Sequence, residues 1–353
     1  MMRLRSIRDI REQLSTLDPQ KMWEAIAGFD RQLAQAADIS LPAPDTIDVD
    51  GIENIIFCGM GGSAIGGDLL QTYLREDLRI PMVVNRHYTL PRFADEHSLV
   101  IVSSYSGNTE ETLSAFREAL DCQAQVLGIS SGGTVRELLT KEGLPLIQIP
   151  GGMQPRAALG YSFVPMVRMF RQLGFTERDV QSEIDETIGV ITNLSRKYQE
   201  EGTAYQCARK ILGTIPIIYT DPELAVIGTR WKTQLAENAE MLAFTNELPE
   251  MNHNEIMGWN DGQDIQDKLS VIWLTDPHTH PRVQKRVEIT GQLVRQYSNN
   301  MQYFSTEGTR LMSRFFSLIS LGDWVSLYAA LLREIDPTAI EQIALLKKRL
   351  NDS

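Results

Sequence analysis

Short apolar runs alternate along the chain with stretches in which apolar residues recur every three or four positions. That alternation predicts a parallel sheet covered by helices on both faces. In the first half the runs predict strands at 54–58, 82–85, 99–104, 125–130 and 145–149, with helices starting near Ser63, Thr109 and Val135. Ahead of them Asp18-Pro19 predicts a helix start, the acid as N-cap and the proline at the first helical position, with Met22, Ile26, Phe29 and Leu33 as its apolar face. The second half repeats the theme with runs at 215–219, 225–228, 240–245, 270–275 and 302–305, the third of which reads equally as the end of a helix. Between the halves, 176–210 is polar, charged and helical in pattern. The fold class is therefore α/β, with two similar units, each a parallel sheet flanked by helices. The expected division is an N-terminal domain with leading helices at 1–175, a helical linker at 176–210, and a C-terminal domain at 211–353 with a helical tail from Leu311.

Composition narrows the function. Against 34 Lys+Arg stand 46 Asp+Glu, a formal net charge of −12 over 353 residues. Nucleic acid is excluded as a partner, because its binders carry a basic stripe. A small anionic ligand is not excluded, since a local pocket overrides a global sign. Cys58, Cys122 and Cys207 are scattered and odd in number, which predicts neither a disulfide framework nor a zinc site and points to a reducing cytoplasm. His278 and His280 lie in Asp276-Pro-His-Thr-His-Pro281, which reads as a turn. No signal peptide is expected, because Asp9 and Glu12 interrupt the basic residues Arg3, Arg5, Arg8 and Arg11 and no apolar core follows. The longest apolar stretch, 315–332, contains Gly322 and Asp323 and reads as a buried or interface helix, so no membrane span is expected.

Two segments carry phosphate-binding signals. In Gly59-Met-Gly61-Gly62-Ser63-Ala64 a buried strand runs into glycines and then a helix, whose first amides lack intrahelical partners and suit an anion. The dinucleotide fingerprint is also met, but the acid it requires after the next strand is replaced by Asn85-Arg86, and no Walker lysine follows. In Ser104-Tyr105-Ser106-Gly107-Asn108-Thr109 a second strand feeds a second helix, where Asn108 with Glu111 reads as a capping box. A cap does not need Ser104, Ser106 and Thr109 clustered together. With Ser63 they offer a phosphate dianion hydroxyls and amides rather than net positive charge. A third loop, Ser130-Ser-Gly-Gly-Thr134, reads either as a further ligand loop or as a turn and cap. Gly62-Ser63 followed by Ser104-Tyr-Ser-Gly-Asn-Thr109 resembles the sugar isomerase (SIS) domain, which implies a phosphosugar ligand.

Three further segments bear possible chemistry. Pro155 opens a helix and puts Arg156 in its first turn, the end an arginine favours least. It reads as a cation for a developing oxyanion or as a surface salt-bridge residue. Trp231, Leu235, Ala239 and Leu242 make a helical apolar face from which Glu237 projects away, by composition alone a solvated carboxylate. His253 stands between Asn252 and Asn254 in a loop, placed either for proton transfer with its tautomer fixed by those amides or as an ordinary loop histidine.

Taken together, Gln154-Pro-Arg156, Glu237-Asn-Ala, Asn252-His-Asn-Glu255 and the terminal Asp336-Pro337 to Lys347 are similar to the bifunctional phosphoglucose/phosphomannose isomerase family. The resemblance implies two SIS domains and an interconversion of glucose 6-phosphate and mannose 6-phosphate with fructose 6-phosphate, needing no metal or cofactor. It gives His253 ring opening, with Lys347 assisting, and Glu237 the proton transfer between C2 and C1. It gives Arg156 the enediolate charge, and Gly62, Ser63, Ser104, Ser106 and Thr109 the phosphate. It also implies a homodimer in which His253 enters the neighbouring subunit's site, and a small hydroxyl residue, Thr338, lining the pocket. Ala339 stands where the resemblance leads to proline, so Lys348 is the alternative to Lys347. The rivals are another SIS enzyme, a phosphosugar-sensing regulator and a nicotinamide oxidoreductase. The chain begins Met-Met-Arg, without the nucleophilic cysteine of an amidotransferase, and leaves no segment for a regulator's helix-turn-helix.

Overall fold

The structure, a computed structural model, describes residues 5–260 and 265–352. Arg3 of the N-terminal basic cluster lies outside the described residues. In chain order, α1 (Ile7–Glu12), α2 (Leu14–Leu17), α3 (Met22–Ala27) and α4 (Phe29–Ala37) precede β1 (Asn54–Cys58). There follow α5 (Gly61–Tyr73), β2 (Met82–Asn85), β3 (Ser98–Ser104), α6 (Glu110–Asp121), β4 (Gln125–Ser130), α7 (Gly133–Lys141), β5 (Leu146–Gln148) and α8 (Leu159–Gln172). Helices α9 (Val180–Tyr198) and α10 (Thr203–Ile211) lead to β6 (Ile215–Thr220), α11 (Ala225–Ala239), β7 (Phe244–Glu247) and β8 (Leu269–Thr275). The chain continues through α12 (Pro281–Val294), β9 (Met301–Ser305), α13 (Leu311–Leu332) and α14 (Glu341–Asn351).

Two compact units result. The first holds Gly28–Gly189 with Arg310–Ser313; the second holds Met1–Ala27, Val190–Thr309 and Arg314–Ser353. In the first, the strands lie in the order β2-β1-β3-β4-β5, every pair parallel. Strand β3 is buried along its whole length, which is why it reads as an unbroken apolar run closed by serines. One side of the core gathers Ile56, Val100, Val126, Phe116 and Leu139. The strand order reverses between β1 and β3, and ligands of open α/β sheets bind beyond the carboxyl ends of the strands at such a point.

The second unit has the parallel order β7-β6-β8-β9. Its core includes Tyr219, Val271, Trp273 and Val294. Trp23 packs edge-on against Trp324 at 4.9 Å between ring centroids. Helix α13 is long and apolar enough to cross a bilayer, yet its apolar window is entirely buried inside the protein. Its two non-membrane signals are both used, because Gly322 makes room for the Trp231 ring and Asp323 pairs with Arg230.

Several expected boundaries are corrected. Residues 225–228 form the first turn of α11 rather than a strand. The Asp221 carboxylate accepts from Leu224 N at 2.8 Å and Pro222 takes the first position, so Asp221-Pro222 is the helix signal, and Ala-Val-Ile-Gly is too short for its period to tell helix from strand. Glu240 is the left-handed cap that ends α11, with φ 49°, and the next strand begins only at Phe244. Leu242 therefore leaves the α11 face and is 73% exposed. Asp18 closes α2 rather than directly preceding a helix, but its carboxylate still accepts from Met22 N (2.8 Å) and Trp23 N (2.7 Å). Met22, Ile26, Phe29 and Leu33 are all buried, divided between α3 and α4 by a break at Gly28.

Candidate functional site

The first unit brings the predicted phosphate residues to the β1/β3 switch point. Helix α5 starts from Met60 in an extended conformation with no side-chain cap, and α6 starts from Thr109, also without one. A capping side chain typically stabilises a helix by about 1 kcal/mol, so two uncapped starts at one sheet edge leave that stabilisation unused and their amides open. The Thr109 hydroxyl instead meets Ser104 Oγ at 2.9 Å, and Ser104 Oγ also accepts from Gly107 N at 3.0 Å. Ser106 Oγ accepts from Asn108 N at 3.3 Å. Ser63 is half-buried at the third position of α5, and its hydroxyl has no hydrogen-bond partner among the described residues. A Cβ built on Gly59 would lie 3.2 Å from both Ser103 O and Ser63 Cβ, so the two loops touch.

Asn108 does not form the expected capping box. Its side-chain carbonyl accepts from Thr134 N (3.1 Å) and Thr134 Oγ1 (3.0 Å), tying the second loop to the third. Val135 N donates to Gly107 O at 2.9 Å, and a Cβ on Gly107 (φ 73°) would fall 1.7 Å from Gly132 O. The third loop is thus a brace under the second, its first helical amides already spent. The neighbouring Cys58 thiol is pushed up to about 12 by burial and is no nucleophile near neutrality. Asn85 is buried and its amide donates to Thr89 O at 3.1 Å, which leaves no acid for a dinucleotide ribose.

Arg156 sits in the turn Pro155–Ala157 and is 4% exposed, which removes the surface salt-bridge reading. A Cβ on Gly62 would lie 3.1 Å from Pro155 O and 3.5 Å from Arg156 Cα, so the absence of a side chain lets the Arg156 turn approach the first loop. Tyr105 in the second loop accepts from Met153 N at 3.0 Å, linking the same turn's approach to the phosphate residues.

Glu237 belongs to the second unit. One polar face of α11 grips α13: Arg230 Nη2 meets both Asp323 oxygens at 2.9 and 2.8 Å, Gln234 donates to Asp323 at 2.7 Å, and Asn238 donates to Ser326 at 2.9 Å. Glu237, seven residues after Arg230, is half-buried and lines a 470 Å³ cleft with Ala236, Glu240 and Ala339 to Ile343. Lys347 and Lys348 are both exposed on α14, Lys347 four residues after Ile343 and Lys348 seven after Glu341, two residues that line the cleft. Thr338 is buried, with its hydroxyl donated to Asp336 at 2.5 Å, and the cleft is lined instead by Ala339 and Ile340.

His253 is exposed at the end of the turn Glu250–His253 and does not line the Glu237 cleft. The flanking asparagines do not fix its ring, contrary to expectation. Asn252 donates to Thr290 Oγ1 (2.8 Å), and Asn254 donates to Glu250 (2.7 Å) while accepting from Glu255 N (2.6 Å). Glu255 in turn accepts from Tyr219 OH and Asn246, both at 2.5 Å. The Asn-His-Asn-Glu run therefore anchors its own loop and leaves the imidazole outward.

The second sheet has the same switch point without the same chemistry. Its β6/β8 crevice, of 220 Å³, presents buried Asp221 and Asp276 where the first unit has glycines and serines. Burial pushes the Asp221 carboxyl up to about 6, against hydrogen bonds from Thr279 and the Leu224 amide. Asp276 is paired with Arg314 at 3.0 Å, so this crevice presents carboxylates, one of them in an ion pair, where the first unit presents hydroxyls.

Residues 200–350 match the family described as the bacterial phospho-glucose isomerase C-terminal SIS domain. The chain is 39% identical over 335 residues to the bifunctional phosphoglucose/phosphomannose isomerase of Caldicellulosiruptor bescii, an alignment spanning 93% of this chain and 98% of that one. The chain belongs to the bifunctional phosphoglucose/phosphomannose isomerase family. The protein of the same name from Aquifex aeolicus is 35% identical over 304 residues, covering 86% of this chain and 92% of that one. The fold matches a crystal structure of a hypothetical protein from Thermus thermophilus with a TM-score of 0.75 at 13% identity, over 98% of this chain and 93% of that one.

Sequence reasoning missed Gln32. It appears only as a polar position beside an apolar face, and its partners lie more than 120 residues away.

Proposed function

We propose that this chain is a soluble, cytoplasmic aldose–ketose isomerase that interconverts glucose 6-phosphate and mannose 6-phosphate with fructose 6-phosphate, without metal or redox cofactor. The observation that carries the reading is the pair of uncapped, hydroxyl-lined helix starts at the β1/β3 switch point, in a chain whose relatives bear that activity in their names. Gly62, Ser63, Ser104, Ser106 and Thr109 hold the phosphate. His253, assisted by Lys347, opens the sugar ring. Glu237 then takes the proton from C2 while the C1 carbonyl oxygen gains one, giving a cis-enediol. As O2 gives up its proton, Glu237 returns the first to C1. Arg156, almost fully desolvated, holds the negative charge that develops on the oxygens, where a buried cation acts more strongly than one in water.

Purified enzyme supplied with fructose 6-phosphate alone is expected to form both aldose 6-phosphates, followed by separate detection of each. A requirement for added metal or nicotinamide, or formation of only one epimer, overturns the reading.

An exposed imidazole on an anchored loop fits a side chain that completes the site of a second copy. Mixing inactive Glu237→Gln and His253→Ala proteins is then expected to restore activity through hybrid dimers carrying one intact site. No recovery after subunit exchange has been confirmed by mass measurement means that each site is built within one chain.

A further inference from the structure

Arg156 stands on a three-residue turn, too short to fix its own geometry. One side chain closes a bracket around it. Gln32 on α4, 4% exposed, donates from Nε2 to Ala157 O at 2.7 Å and accepts at Oε1 from Gly160 N at 2.7 Å. A Cβ on Gly160 would itself lie 2.7 Å from Gln32 Oε1, so only glycine admits the contact. The same amide reaches Met153 Sδ at 3.7 Å, and Met153 N donates to Tyr105 in the phosphate loop. Packing alone does not call for a buried glutamine, since an aliphatic side chain of equal size fills the space without desolvating an amide.

We propose that Gln32 is a positioning residue that sets the Arg156 turn for the reacting end of the sugar, while the phosphate loops retain the grip on the substrate. This rests on the assignment of Arg156 to the developing charge. A catalytic group displaced by about 1 Å costs up to roughly 100-fold. Gln32→Met is accordingly expected to lower kcat by about 10-fold to 100-fold with KM for fructose 6-phosphate nearly unchanged. Gln32→Glu separates positioning from packing. As a carboxylate it accepts from Gly160 N but has no proton for Ala157 O; as a carboxylic acid it serves both. Its deficit in kcat relative to wild type is expected to shrink as pH is lowered. Wild-type kcat in folded Gln32→Met, a loss carried by KM instead, or a pH profile of Gln32→Glu parallel to wild type overturns the proposal. Should Gln32→Met not fold, the Gln32→Glu profile decides alone. Arg156→Ala is measured alongside. Retained turnover there removes the assignment of Arg156, whereas its loss beside a fully active Gln32→Met removes only the bracket.

Discussion

Glu237→Gln is expected to bind phosphosugars normally and to lose nearly all turnover. The substitution changes one atom's chemistry and almost nothing else. Three hydrogen-bonding side chains, Arg230, Gln234 and Asn238, tie α11 to α13, and the substitution leaves all three in place. An amide in its place has nearly the same volume, so fold and cleft survive. What is lost is the basic lone pair that takes the C2 proton. Positioned proton transfer contributes about 10²–10⁴ in rate, equivalent to roughly 3–5 kcal/mol of barrier. The phosphate residues sit on the loops of the first unit and are untouched, so the dissociation constant of fructose 6-phosphate by calorimetry should stay within a few-fold of wild type. A second readout isolates the step itself. Exchange of the C2 hydrogen of glucose 6-phosphate with deuterated solvent should fall in parallel with kcat. Near-normal turnover excludes Glu237 as the base. Lost turnover with retained exchange moves the defect to a later step.

Much of this arrangement was legible in the residues, for identifiable reasons. Strands 54–58, 82–85 and 125–130 are recovered with the bounds expected; the first and third are largely buried apolar runs followed by glycine or serine where the chain turns into a helix, and the second is a short apolar run at the sheet edge closed by Asn85-Arg86. Ala225–Gly228 misled because a short apolar run has no readable period, and the Asp-Pro start that decides it lies just upstream. Asn108 looked like a cap because local sequence offers Glu111 as its partner, whereas folding offers Thr134 from a loop 26 residues away. Burial of Arg156 and the Gln32 bracket depend on chain segments that pair only in the folded unit, and no local spacing encodes them. Glu237 shows the same limit from the other side, since composition makes it an ordinary helix carboxylate and its role as candidate base comes from the resemblance of Glu237-Asn-Ala to a family motif, not from its spacing.

Arg230→Met is expected to destabilise the second unit by about 3–5 kcal/mol, the range for breaking a buried ion pair from one side. The pair is desolvated at both ends, with side-chain exposures of 4% for Arg230 and 8% for Asp323. Once the guanidinium is gone, the hydrogen bond from Gln234 remains to Asp323, too little to hold a carboxylate out of water. The sign of the pH dependence follows. Burial already acts to raise the Asp323 pKa, and the variant removes the cation that lowers it. The folded pKa then lies above the unfolded value of about 3.9, so the penalty is full above the folded pKa and fades as pH falls through it. Urea unfolding should therefore show a midpoint deficit that is large at neutral pH and shrinks in acid. A deficit independent of pH assigns the loss to packing instead. The double variant Arg230→Met/Asp323→Leu removes both charges, and replacing a buried pair with apolar side chains is often neutral or stabilising by about 1–4 kcal/mol. Its stability should return close to wild type. Its turnover should return as well, because both replacements are apolar and Glu237 itself is left in place on α11. A stable but inactive double variant makes the ion pair part of the geometry of the site rather than only of the fold.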